Sequence, residues 1–241
     1  MIEIVNGIIL ISLVIIIYKY FEKLSYDVVM VKSQTNGKSY LVRNLEDKQE
    51  AANLIGTIAI KLEKLVEIIK TMGYEQIYEQ YMKDELIKEN SATSKVKTNN
   101  LIEGKNSENN DTQILETNIK MKLKDDIDRL IKNFNSDAFS ETTPDAKYTS
   151  YSVNKGEKVV FCLRQKKDGE ELVKQNILTF VALHELSHLF TKSIGHEPEF
   201  WNNFKLILKI AIDNGLYKDV DFNNTPKEYC GISISDSPLK K

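Results

Sequence analysis

Only two cysteines, Cys162 and Cys230, occur in the 241 residues. That is too few for a disulfide-built scaffold, fits a reducing compartment, and leaves core packing as the expected role of both thiols. Neither sits in a paired Cys motif, which makes metal ligation the lesser option for them. No sign of charge dominates either. The 33 basic and 35 acidic side chains leave a net charge of −2, so no strong field advertises a polyanion, and no nucleic-acid partner is expected. Methionine is absent downstream of residue 121. Histidine is absent everywhere except one short segment.

That segment is His184-Glu185-Leu186-Ser187-His188-Leu-Phe-Thr-Lys-Ser-Ile-Gly195-His196, and it holds all three histidines of the chain. The first two frame a His-Glu-x-x-His motif. On a helix this spacing puts two imidazoles on one face, four residues apart, where both can reach one Zn²⁺, and it sets the glutamate beside them as a general base. Three fixed positions recur by chance, so context has to decide. From Asn176 the chain reads Asn-Ile-Leu-Thr-Phe-Val-Ala-Leu before the motif, apolar nearly all round, as in a core helix. Asn176 is the expected N-cap and Gly195 the expected stop. Two histidines in so apolar a helix are costly unless paired or ligated, which favours a metal site over satisfied core histidines.

A catalytic zinc takes three protein ligands and keeps one position open. His196 leads for the third, because it is the histidine left over and follows a glycine that can turn the chain. Glu199, Asp213 and Glu228 are the carboxylate alternatives, and a surface histidine capping the next helix is the bland reading of His196. In metzincins the third histidine follows the second by six residues and a Met-turn comes later. Here the interval from His188 to His196 is eight, and every methionine precedes the motif. After His196, Glu197-Pro198-Glu199-Phe200-Trp201 opens a helix running to Gly215, with proline and acids suited to a first turn.

At the amino terminus, Ile4 to Tyr18 is uncharged and almost wholly apolar. With Tyr18, Tyr20 and Phe21 as an interfacial belt, the span extends to Ile2–Phe21 and reads as a transmembrane anchor. A cleaved signal peptide fits poorly, since no basic residue precedes the run. Lys19, Lys23 and Lys32 follow it while Glu3 precedes it, so the positive-inside rule places the catalytic part in the cytoplasm of a single-pass membrane protein.

Between these features, Ala51, Ile55, Ile58, Leu62, Leu65, Ile69 and Met72 recur at intervals of four and three, a helical seam ended by Gly73. The seam suits either a coiled-coil dimer or, more commonly, a cover for the catalytic core. The chain thus divides into an anchor (1–23), a helical accessory region (24–90), a flexible polar insertion (91–112) and a metallopeptidase domain (113–241). That domain begins with a helix striped by Ile119, Leu123, Ile127, Leu130, Ile131 and Phe134. A β-hairpin follows, from Tyr148 to Val153, through a turn at Asn154-Lys155-Gly156-Glu157, then Lys158 to Arg164. Tyr229 to Ile234 is a candidate last strand. The expected class is α+β, mostly helical, with a small antiparallel hairpin beside the active-site helix.

The buried motif helix, then Gly195-His196, then Phe200-Trp201, resembles the small zinc peptidases of the SprT and WLM type. The segments Tyr148–Lys158, Val181–His188 and Tyr229–Ile234 also resemble a group of uncharacterised membrane-anchored proteins, read as metallopeptidases, from large DNA viruses and some protists. The likeness covers about residues 140 to 240. It implies a zincin-like fold, Zn²⁺ on His184, His188 and His196, Glu185 as catalytic base, and a substrate strand added beside the active-site helix. In WLM enzymes the last histidine follows the second by six residues, a departure here.

Two classes of function follow. One is a membrane-anchored zinc endopeptidase acting on protein or peptide substrates, with isopeptidase or crosslink-protease activity as a narrower variant. The other is a membrane-tethered helical interaction module whose metal is structural and closed by a fourth ligand.

Overall fold

The computed structural model describes residues 2–24, 27–93, 108–165 and 170–240. Five strands form one mixed sheet: β1 (Val28–Lys32), β2 (Ser39–Arg43), β3 (Phe139–Glu141), β4 (Tyr151–Val153) and β5 (Lys158–Phe161). Their order is β1-β2-β3-β5-β4. The two hairpins, β1–β2 and β4–β5, are antiparallel, while β3 joins them by parallel pairing to β2 and β5. This sheet is larger than the small antiparallel hairpin read from the sequence. Its first hairpin lies inside the stretch read as helical, and the Val-Val-Met-Val run of β1 supplies the β-branched residues such a strand favours.

Among the described residues there are five α-helices: α1 (Ile2–Leu24), α2 (Lys48–Thr93), α3 (Glu108–Asn133), α4 (Gln175–Phe190) and α5 (Pro198–Asp213). The α2 seam is buried, with Ile55, Ile58, Leu65 and Ile69 wholly inaccessible, and it packs on α3, α4 and β2. It therefore covers the core that contains the motif helix. Gly73, at φ 67°, kinks α2, a backbone conformation that costs glycine little. Most of the polar insertion expected at 91–112 lies outside the described residues. A separate two-stranded hairpin, β6 (Lys227–Tyr229) and β7 (Ile232–Ile234), stands where one last strand was expected.

The membrane anchor is corrected. Among the described residues no helix is long and apolar enough to cross a membrane. The uncharged run of fifteen residues in α1 rises about 22 Å, against about 30 Å of hydrocarbon. Lengthening it brings in Glu3, Lys19, Glu22 and Lys23. The single-pass, cytoplasm-facing placement rested on that span and falls with it.

The cysteines are corrected too. Cys162, just after β5, and Cys230, at the β6–β7 turn, form a disulfide with Cα atoms 6.3 Å apart. Both are buried as expected, but the fold pairs two residues separated by 68 positions, which a count of two cysteines could not show. The reducing-compartment reading assumed unpaired thiols and loses its basis.

Candidate metal centre and cleft

Helix α4 runs through the middle of the molecule, touching α2, α3, α5, β4 and β5. It starts at Gln175, and Asn176, read as its N-cap, instead bridges to Lys218 through both its amide atoms. It ends at Phe190 rather than at Gly195, with Thr191 as the C-cap. Its last carbonyls would be orphaned in a core, and two cations meet them. Lys155 Nζ donates to the carbonyls of His188, Thr191 and Ser193 at 3.0, 2.7 and 2.8 Å. Arg129, held by buried Asp126 at 2.6 Å, donates to the Phe190 carbonyl at 2.7 Å. Positive charge at a helix C-terminus also complements its dipole.

The Lys155 turn needs Gly156. That residue sits at φ +116°, and a Cβ there would lie 2.5 Å from the Asn133 carbonyl and 2.9 Å from a Leu189 methyl. Gly156→Ala is expected to destabilise the fold by roughly 2–4 kcal/mol, combining positive-φ strain with overpacking. Urea unfolding measures this, and a loss below about 0.5 kcal/mol would contradict the tight packing of the turn.

Beyond α4 the chain loops through Ser193 and Gly195, the latter at φ +83°, and returns His196 to the helix. His196 Nε2 then lies 3.0 Å from His184 Nε2. The ligand atoms of His184, His188 and His196 all fall within 4.8 Å of one another, so the three could hold a metal ion. The aromatic residues of α5 back them. Phe200 stacks on His188 at 4.3 Å between centroids and meets His184 edge-on at 4.8 Å, and Phe204 meets His184 at 5.2 Å. Burial, with the neighbouring imidazoles second, pushes His184 down to about 3 and His188 to about 4. Burial lowers His196 as well. All three are thus neutral at physiological pH and present the lone pairs a metal needs.

The carboxylate alternatives are engaged elsewhere. Glu199 accepts from the Ser193 backbone N–H at 3.1 Å and pairs with Lys122 at 2.9 Å. Asp213 accepts from Gln80 at the far end of α5, and Glu228 is exposed on β6. Burial raises the Glu199 carboxyl, but the donors of Ser193 and Lys122 outweigh it and hold the group down at about 2. Its ionised form therefore stabilises the fold above the ordinary value of 4.5, and that contribution is lost as pH falls from there through 2. Glu199→Gln should lower stability at pH 7 by roughly 2–3 kcal/mol and remove the matching part of the acid transition. Parallel pH–stability curves for the two proteins would refute this.

Glu185 is 5% exposed. Burial raises its carboxyl to about 7, opposed by the side-chain and backbone hydrogen bonds of Ser152. Ser152 belongs to β4, an edge strand of the sheet. A cleft of about 420 Å³ opens between β4 and the histidines, lined by Tyr151, Ser152, Lys155, Glu185 and the His triad among others. Ser152, Lys155 and Arg129 were not legible as site residues. One signal was available: Asp126 falls three residues after Leu123 and four before Leu130, on the buried stripe of α3, where a carboxylate needs a partner.

No sequence-family model matches the chain, and no solved structure matches it. An uncharacterised protein of Acanthamoeba polyphaga mimivirus is 30% identical over 237 residues, covering 98% of both chains. Uncharacterised proteins of invertebrate iridescent virus 6 and invertebrate iridescent virus 3 are each 34% identical over shorter stretches. These cover 34% and 28% of this chain, and 44% and 42% of the viral proteins. At that identity and near-complete coverage, the chain belongs to the family of the uncharacterised mimivirus protein R325.

Proposed function

We propose that the chain is a zinc-dependent endopeptidase. The observation that carries this reading is the convergence, in one cleft, of three neutral imidazoles with a buried carboxyl that rests on an edge strand. Three histidines and no fourth protein ligand among the described residues match the donor set of a catalytic zinc. His184, His188 and His196 would hold the ion, which when bound supplies a Lewis acid and lowers the pKa of water.

The remaining chemistry belongs to the chain. Burial brings Glu185 close to neutrality, where a carboxyl can both take and return a proton. It takes a proton from the attacking water, whose oxygen bonds to the scissile carbonyl carbon, and passes that proton to the departing nitrogen. The C–N bond breaks, leaving one carboxylate product and one amine. Ser152 fixes the carboxylate through two hydrogen bonds, and Lys155 fixes the helix end that carries His188. β4 leaves one side of its backbone unpaired, so an extended peptide can join it as a further strand.

Cleavage at an internal bond is favoured over cleavage at a carboxyl terminus. Among the described residues lining the cleft, the cation is Lys155, and its three donors face backbone carbonyls. No cation there remains to grip a terminal carboxylate.

The test is hydrolysis of an unfolded protein by the purified full chain. Internal cleavage that a zinc chelator abolishes and added zinc restores is expected. Absence of any chelator-sensitive cleavage would refute the proposal.

A further inference from the structure

A second compartment, of about 340 Å³, adjoins the cleft and shares His184, Glu185, Tyr148 and Ser150 with it. Its character is different. Phe180 and Val181 project from α4 one turn before His184 and Glu185, Ile232 and Ile234 come from β7, and Tyr148 and Tyr229 complete the walls. Glu185, at the boundary with the catalytic groups, is the one carboxylate in the lining, and no lysine or arginine lines it. Ile232 is half exposed, so an apolar surface faces water directly beside the reacting groups.

The β7 wall is held in place. The Cys162–Cys230 disulfide ties its hairpin to the end of β5. The Tyr229 hydroxyl donates to the Cys162 carbonyl at 2.9 Å and lies 2.7 Å from Ser150 Oγ. Cys230 N–H donates to Gln165 at 3.0 Å. A preformed apolar pocket gains affinity because little ordering is needed when it fills.

We infer that this compartment is a specificity subsite for a large aliphatic or aromatic side chain flanking the scissile bond. The inference rests on the peptidase reading and names its substrate class: polypeptides cut beside residues such as Leu, Ile, Phe or Met. Continuity with the cleft selects the occupant. A peptide laid along β4 at Ser152 and past Ser150, which precedes the strand, has its reacting bond at Glu185 and a neighbouring side chain at the mouth of the pocket. The volume suits one large side chain. A carboxylate side chain would be desolvated there with no lysine or arginine to pair with, a cost the site does not offset.

The experiment measures binding of four peptide hydroxamates, differing only in a Gly, Ala, Leu or Phe side chain next to the metal-binding group, to the zinc-loaded full chain by calorimetry. Affinity should rise about tenfold or more from Gly to Leu, as expected for burying three or four carbons. Ile232→Lys, which puts a cation at the mouth of the pocket, should erase that rise, so that the Leu and Phe compounds bind no more tightly than the Gly compound does. Ile232→Val should keep most of it. Equal affinity across the series, or a rise that survives Ile232→Lys, overturns the subsite while leaving the peptidase reading intact. Binding of none of the four overturns the metal centre and the subsite with it.

Discussion

Glu185→Gln is expected to leave metal content and thermal stability near wild type while turnover of a peptide substrate falls by about two to four orders of magnitude. The substitution keeps the shape of the side chain and its contacts with Ser152 but removes the base. It does not strand a charge. With its carboxyl raised by burial to about 7, ionised Glu185 costs the metal-free fold stability as pH rises from 4.5 through 7. The neutral amide removes that cost, so the metal-free variant should be at least as stable as wild type at pH 8. A structural-metal scaffold has no activity to lose. Equal chelator-sensitive proteolysis by both proteins would remove Glu185 from the mechanism.

Arg164→Met is expected to destabilise the fold by about 3–5 kcal/mol, the usual effect of taking one partner from a buried ion pair. Arg164 Nε donates to Glu141 at 2.7 Å and Nη1 to Asp47 at 2.5 Å. Glu141 also accepts the backbone N–H of Arg43 at 2.8 Å. Both Arg164 and Glu141 are about 5% exposed. The network joins β2, β3, the end of β5 and the start of α2, and so locks the amino-terminal half to the half bearing the histidines. Adding Glu141→Leu should recover part of the loss, because no buried carboxylate is then left alone. Denaturant unfolding of wild type and the two variants decides it. A loss below about 1 kcal/mol for Arg164→Met would show that the network does not bind the halves together.

The parts of this arrangement legible in the sequence were local ones. The motif helix, the α2 seam and the β4–β5 hairpin each announce themselves by a periodicity or a turn within a few residues. His196 could be ranked first among four candidates, but the loop through Gly195 settles its position near His184. What escaped was non-local. β2 and β3 pair across about a hundred residues of chain, and nothing in Phe139–Glu141 alone specifies a partner so distant. The Lys155 clamp depends on a turn in one hairpin meeting the end of a helix 33 residues later. The disulfide depends on the β6–β7 hairpin folding back over β5. The anchor was misjudged for a different reason: aromatic and lysine flanks were counted toward a span whose uncharged part is about 22 Å long.

The measurement closest to the central claim is the zinc content of the purified full chain and its histidine variants. One zinc per chain is expected for wild type and for Glu185→Gln. None is expected for the His184→Ala/His188→Ala double variant, and His196→Ala should bind more weakly while Glu199→Gln and Glu228→Gln bind as wild type does. One zinc per chain retained in the double variant would contradict the account.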